Sequence, residues 1–307
     1  MLTYFTICII GMTTIIRNPD YHQALCTPFG TPLVNPLEMK RILCPTDFSP
    51  VADNAIAYAA KLSQATGSTL TLLHIGSIFD LLDVNFKPSL TLIRDELELQ
   101  SLQVTRTFKI SCDSDIRISY QQLGPAIKDC EADYDLVVIG TNGPDNLLQF
   151  LSGSHAYQVI RSSILPVLLV PEAAGYRGFQ KIAFAFDYWR TLSLPTEPLA
   201  WLLQTFQSEL TVLQVMEESI SAEAEAELRQ LQHTFSTAAN RNITFHTVHA
   251  GRVPEALNNY VLHNEPDLLA LCATHDSLLR RMFHRSTIRH LSSVTKCPLY
   301  IFPFEKA

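Results

Sequence analysis

A chain of 307 residues is long for one domain and comfortable for two of about 140 each. Its 47% hydrophobic and 17% charged content excludes a disordered or low-complexity chain, and a net charge of −7 argues against broad binding to nucleic acid or anionic membranes. Seven scattered cysteines without a C-x-x-C pair and ten histidines without H-E-x-x-H exclude the common zinc and dithiol signatures, and fit buried thiols in a reducing cytoplasm.

Residues 1–38 read as an irregular N-terminal extension upstream of the folded part. The apolar stretch Tyr4 to Ile16 is shorter than the roughly 20 residues that cross a bilayer. It also lacks a basic flank or small-residue cleavage site, so it is taken neither as a signal nor as an anchor. Asn18-Pro, Thr27-Pro, Thr31-Pro and Asn35-Pro break any regular element after it.

From Met39 strands and helices alternate. Arg41–Pro45 reads as a short buried strand, Val51–Thr66 as a helix, Ser68–His74 as a strand and the region around Leu90–Phe108 as a long helix. Asp115–Gln121 alternates as a third strand, Pro125–Cys130 is a brief helix, and Asp135–Ile139 is a fourth strand. A glycine-containing loop follows, then a helix from His155 to Arg161, and Pro166–Val170 closes the unit. The series restarts after a linker near Glu172–Gly178. Lys181–Asp187, Leu199–Phe206, Glu209–Val215, Ala222–Ala239, Ile243–His249, Pro254–His263, Asp267–Leu271 and Cys297–Phe302 repeat strand and helix in the same order. This pattern predicts two tandem domains, 39–173 and 179–305, each a parallel sheet covered by helices on both faces.

The loop from Gly140 to Ser154 carries the strongest functional signal. Its sequence is G-T-N-G-P-D-N-L-L-Q-F-L-S-G-S, between an apolar strand and a helical stretch. Glycines let backbone N–H groups approach an anion, and the first helical turn presents unpaired donors and the positive end of the helix dipole. Such a loop can hold a phosphate, although Gly140-Thr-Asn-Gly143 alone would read as an ordinary turn. Superposing the closing prolines Pro166 and Pro298 puts Cys272, His275 and Arg285 where Gly140, Gly143 and Gly153 stand, while Ser286 matches Ser154. The second domain is therefore expected not to bind a polyphosphate and to serve structure or regulation.

Three segments together resemble the universal stress protein family: Ile42-Leu-Cys-Pro-Thr-Asp-Phe-Ser49, Leu73-His-Ile75, and the G-x2-G-x9-G-S pattern at 140, 143, 153 and 154. The resemblance spans about residues 39 to 305. It implies tandem Rossmann-like domains of the adenine-nucleotide α-hydrolase type, each with five parallel strands, and pairing through the last strand as an internal pseudo-dimer or a homodimer. It also implies ATP, or ADP or AMP, as ligand. Carried over residue by residue, Pro45, Thr46 and Asp47 would line the adenosine pocket and Ile75 would contact the adenine. Gly140, Thr141, Gly143, Gly153, Ser154 and His155 would hold ribose and phosphates. Asp47 also fits a turn or helix cap, and Asp187 at the same point of the glycine-less copy favours that reading.

The loop contains no lysine or arginine and carries Asp145. Each missing cation near a partly exposed phosphate forgoes about 1 to 4 kcal/mol of Coulomb energy before desolvation, so modest affinity and a magnesium requirement are expected. Arg280, Arg281, Arg285 and Arg289 gather beside the lost loop of the second copy, as a solvated face or as a site for the nucleotide or an acidic partner. No nucleophile–base pair, metal ligand set or catalytic carboxylate pair emerges; Ser154 reads as a cap and phosphate donor. The expectation is a cytoplasmic, nucleotide-dependent stress-response or signalling protein with an unidentified protein partner, at most slow ATP hydrolysis, and one nucleotide in domain 1. The alternatives are an ATP-hydrolysing or adenylyl-transfer enzyme of the same superfamily, which would need a basic clamp, and an interaction scaffold without nucleotide.

Overall fold

The computed structural model describes residues 8–9, 12–13, 39–77, 90–119, 123–141, 159–160, 163–186, 196–216, 243–249, 253–272 and 297–303. Within the N-terminal extension, β1 (Cys8–Ile9) and β2 (Met12–Thr13) form a short antiparallel ribbon, where no regular element was expected. The first series then runs β3 (Arg41–Pro45), α1 (Pro50–Thr66), β4 (Thr69–Ser77), α2 (Leu90–Phe108), β5 (Cys112–Ser119), α3 (Leu123–Lys128), β6 (Leu136–Thr141) and β7 (Val167–Pro171). The second runs β8 (Lys181–Phe186), α4 (Thr196–Phe206), β9 (Glu209–Met216), β10 (Ile243–His249), α5 (Val253–Asn264), β11 (Leu268–Cys272) and β12 (Leu299–Phe302). The helix expected over 222–239, and all but residues 159–160 of that over 155–161, lie outside the described residues.

Local chemistry sets the element ends. Ser49 caps α1, its Oγ accepting from the N–H of Ala52 at 3.2 Å, and Pro50 occupies the first turn, where a missing N–H costs nothing. Gly67 ends the helix in the left-handed region at φ 74°, its N–H donating to Ser63 O at 2.8 Å. The buried face of α1 is built largely from Ala52, Ala55, Ala59 and Ala60, small residues that let the helix lie close to the sheet.

All strands but β1 and β2 join one ten-stranded sheet of order β10-β9-β8-β11-β12-β7-β6-β3-β4-β5. Neighbours are parallel throughout except at the centre, where β7 and β12 pair antiparallel, with Leu169 opposite Leu299, Leu168 opposite Tyr300 and Val167 opposite Ile301. The sequence predicts five parallel strands per half; the halves carry them in the same order and fuse edge to edge. Because successive strand residues face opposite ways, the sheet has two cores. Ile42, Leu70, Leu168, Ile182, Leu210 and Tyr300 belong to one, and Leu43, Leu73, Leu169, Ala183, Leu213 and Ile301 to the other. Each core runs through both halves.

The same hydrogen bonds recur in both halves. Ser68 Oγ donates to Met39 O as Ser208 Oγ does to Phe179 O, and the Thr69 N–H to Lys40 O as that of Glu209 does to Gln180 O. Asp135 N–H donates to Arg41 O and Asp267 N–H to Lys181 O, both at 2.9 Å. In return, Asp135 Oδ2 accepts from the N–H groups of Lys40 (2.8 Å) and Arg41 (2.9 Å), and Asp267 Oδ2 from that of Lys181 (2.9 Å). Each aspartate thus ties the start of its half's first strand to the start of the fourth. Asp135→Ala should lower the unfolding free energy by about 1–3 kcal/mol, and more than Asp267→Ala, whose carboxylate holds fewer main-chain donors; urea unfolding of the two variants tests this.

Candidate functional site

Ligands of open parallel sheets bind outside the carboxyl ends of the strands, where the strand order reverses. In the first half β3 is flanked by β4 on one side and β6 on the other, so the reversal lies between β3 and β6. The turn leaving β3 and the end of β6 meet at this edge.

The turn is made by side chains that close on the backbone. Thr46 extends the ladder, its N–H donating to Leu73 O at 2.9 Å. Its Oγ1 accepts from the Phe48 N–H at 3.1 Å, and Asp47 Oδ1 accepts from the Ser49 N–H at 3.0 Å. These two overlapping turns, with the Ser49 cap, reverse the chain into α1 over residues 46–49. Phe48 adopts φ 61°, uncommon for an aromatic residue. Its ring lies 5.0 Å, centroid to centroid, from that of His74. His74 Nδ1 sits 2.9 Å from Thr46 O, and since a carbonyl only accepts, Nδ1 carries the proton. Thr46 is buried, whereas Asp47 is exposed. The turn role expected for Asp47 is thus present, and it engages one carboxylate oxygen.

Gly140 lies in β6 against the first turn of α1. A Cβ built on it would stand 2.5 Å from Val51 O and 2.9 Å from Val51 Cγ1, far inside contact distance. This glycine is therefore required by packing, independently of any ligand. Thr141 is buried, and its carbonyl accepts from the Glu172 N–H at 2.9 Å. Asn54 of α1 donates through Nδ2 to Pro171 O (3.0 Å) and Ala174 O (3.2 Å), fastening the helix to the end of β7.

Ile75 is half-buried on β4 and packs against the core that holds Leu43 and Ile139. β3 pairs with β4 only as far as Leu73, while β4 continues to Ser77 beside β5. Ile75 has the parity of Leu73, so its main-chain N–H and C=O face the side on which β3 has ended. The structure thus brings Pro45, Thr46, Asp47, Ile75, Gly140 and Thr141 to one edge. Gly143, Gly153, Ser154 and His155 lie outside the described residues.

Sequence reasoning passed over His74 and Asn54. The partner of His74 is a carbonyl 28 residues away, which no local pattern reveals. At the equivalent place in the second half, in register with Phe186, stands Gln214. It is buried, and its Nε2 has no hydrogen-bond partner; Asp187 lies outside the described residues.

Among the described residues no group of three or more His, Cys, Asp or Glu side chains is placed to hold a metal ion, and no helix is long and apolar enough to cross a membrane. Cys44, Cys112, Cys130 and Cys297 are free thiols. Burial pushes all four up, Cys112 and Cys297 to about 12, so they remain protonated and poorly nucleophilic near neutral pH. A cleft of about 190 Å³ between α2 and β5, lined by Arg94, Glu98, Ser114 and Asp115 among others, lies across β4 from the β3–β6 reversal.

A doubly wound α/β sheet with a tight turn and a glycine at its strand-order reversal defines the class: a protein with the architecture of the Rossmann-like ligand-binding folds. Residues 38–171 match the Universal stress protein family. Over 290 residues the chain is 23% identical to a universal stress protein of Synechocystis sp., covering 86% of this chain and all of the relative. In fold it is similar to a universal stress protein from Archaeoglobus fulgidus (TM-score 0.63, 14% identity, 86% of this chain and 98% of that one). A functionally unknown protein from Pseudomonas aeruginosa is similar too (TM-score 0.57, 15% identity, 86% and 92%). At these identities the structural likeness is one of fold.

Gly140→Ala should destabilise the protein by about 1–3 kcal/mol through overpacking against Val51, with no nucleotide present. Thermal or urea unfolding of nucleotide-free protein reads this directly; an unchanged midpoint would remove the packing role.

Proposed function

We propose that the chain is a nucleotide-binding universal stress protein of two domains, 39–173 and 179–305, in which the first holds one adenine nucleotide at the β3–β6 reversal and the second is a non-binding structural copy. The observation that carries this reading is the convergence of the Thr46–Asp47 turn, the overhanging main chain of Ile75 and the Gly140-Thr141 strand end on that edge. The parity of Ile75 suits an adenine edge, which needs a donor and an acceptor side by side. Asp47, with one oxygen committed to the turn and the side chain exposed, suits the ribose hydroxyls.

The glycine motif at 143, 153 and 154 would hold the phosphates through backbone N–H groups and the Ser154 hydroxyl. Without a lysine or arginine in the loop, magnesium carried by the phosphates supplies the compensating charge. The recurrent strand order and hydrogen bonds support the two-domain reading, and the identical order of the halves supports an internal pseudo-dimer through β7 and β12. In this reading the protein acts as a sensor of nucleotide in the cytoplasm, changing partner choice and not consuming ATP at speed.

Two measurements test this. Protein denatured after purification should release ATP, ADP or AMP, identified by mass, and titration calorimetry should show ATP binding that strengthens with magnesium. The double variant Gly143→Val, Gly153→Val, which spares the packing glycine, should weaken ATP binding at least about tenfold, equivalent to 1.4 kcal/mol, and leave adenosine binding within about threefold. Equal ATP affinity in variant and wild type would remove the phosphate assignment; no binding of any adenine compound would remove the function.

A further inference from the structure

We infer that His74 is a positioning residue for the nucleotide edge: by donating from Nδ1 to the Thr46 carbonyl it fixes the peptide that aims Asp47. The inference rests on the proposed nucleotide reading. Thr46 is held twice, through its N–H on Leu73 O and its C=O on His74 Nδ1, both at 2.9 Å. The first holds the peptide entering Thr46 and the second the peptide joining Thr46 to Asp47, which sets the direction in which the Asp47 side chain leaves the turn. The His74 ring also packs on Phe48 at 5.0 Å, holding the residue whose φ of 61° lets the chain turn. An Nδ1–H donor is kept whether or not Nε2 takes up a proton, so the clamp does not depend on the charge of the ring.

The second half supplies the contrast. Gln214 occupies the place of His74, 5% exposed, and its Nε2 makes no hydrogen bond. The clamp is present where the glycine motif is intact and is not made where Cys272, His275 and Arg285 replace its glycines. A histidine serving the core alone would have no reason to follow the motif.

The test uses full-length protein. In wild type without nucleotide, the ¹⁵N shifts of the His74 ring should show a protonated Nδ1 with a slowly exchanging proton. His74→Phe keeps an aromatic ring against Phe48 but loses the donor; it should bind both ATP and adenosine about tenfold more weakly. His74→Asn, whose Nδ2 can reach the position of Nδ1, should restore both to within about threefold of wild type. An Nε2–H tautomer, wild-type affinity in His74→Phe, or an Asn variant as weak as the Phe variant would each overturn the inference while leaving the nucleotide reading intact. If His74→Phe does not fold, the tautomer and the Asn variant decide. Wild-type protein that binds no adenine compound would overturn the nucleotide reading, and the positioning role with it, even where the ring tautomer matches.

Discussion

The architecture depends on the antiparallel pairing of β7 with β12. Each of these strands ends a run of parallel pairings within its half, and each is apolar and buried along its length. Left unpaired, each would expose a row of backbone donors and acceptors beside apolar side chains, the arrangement that makes sheet edges prone to aggregation. Pairing the two removes both edges at once and makes each core continuous across the halves. The linker is drawn into the joint, with Tyr58 of α1, Tyr176 of the linker, Phe179 just after it and Phe206 of α4 in successive edge-on and tilted contacts. The edges left in the sheet are β5 and β10. They carry Asp113, Asp115 and Arg117 on one and His246 on the other, polar groups that discourage further pairing.

A sheet closed at its centre leaves the carboxyl edges of the two halves as separate places where strand order reverses. What distinguishes the first is how tightly its helix is set. α1 begins after residues 46–49, and its first turn touches the end of β6 so closely that only glycine fits at position 140. Asn54 pins the same helix to β7, and the Thr46, Asp47 and Ser49 side chains satisfy the backbone donors at its start. A rigid edge of this kind limits what ligand binding must order, which is where preorganisation contributes to affinity.

Much of this was legible in the sequence for definite reasons. The buried strand Arg41–Pro45 reads correctly because its apolar run is short and bounded, and α2 because its spacing is helical over five turns' worth of residues. β4 runs past the expected His74 to Ser77 because its partner there is β5, not β3, and partner identity leaves no trace in local periodicity. Fusion of the sheets leaves no trace in local periodicity for the same reason, since strand edges pair through backbone groups that every sequence shares; pairing through the last strand is what the family resemblance implies. The glycine pattern marks Gly140, but its contact with Val51 depends on how close α1 lies, which only the fold reveals. His74 escaped because its partner is a distant carbonyl.

The second half lacks the packing glycine of the first. Cys272 ends β11 at the register position that Gly140 holds in β6. In register with Phe186, the place of the clamping histidine is taken by Gln214, whose Nε2 is unpartnered. Tight turn, packing glycine and clamp depend on one another geometrically: the short turn draws the helix onto the strand end, the glycine makes room for it, and the histidine holds the peptide in between. The central β7–β12 pairing involves none of them and joins the cores of the two halves independently of either carboxyl edge.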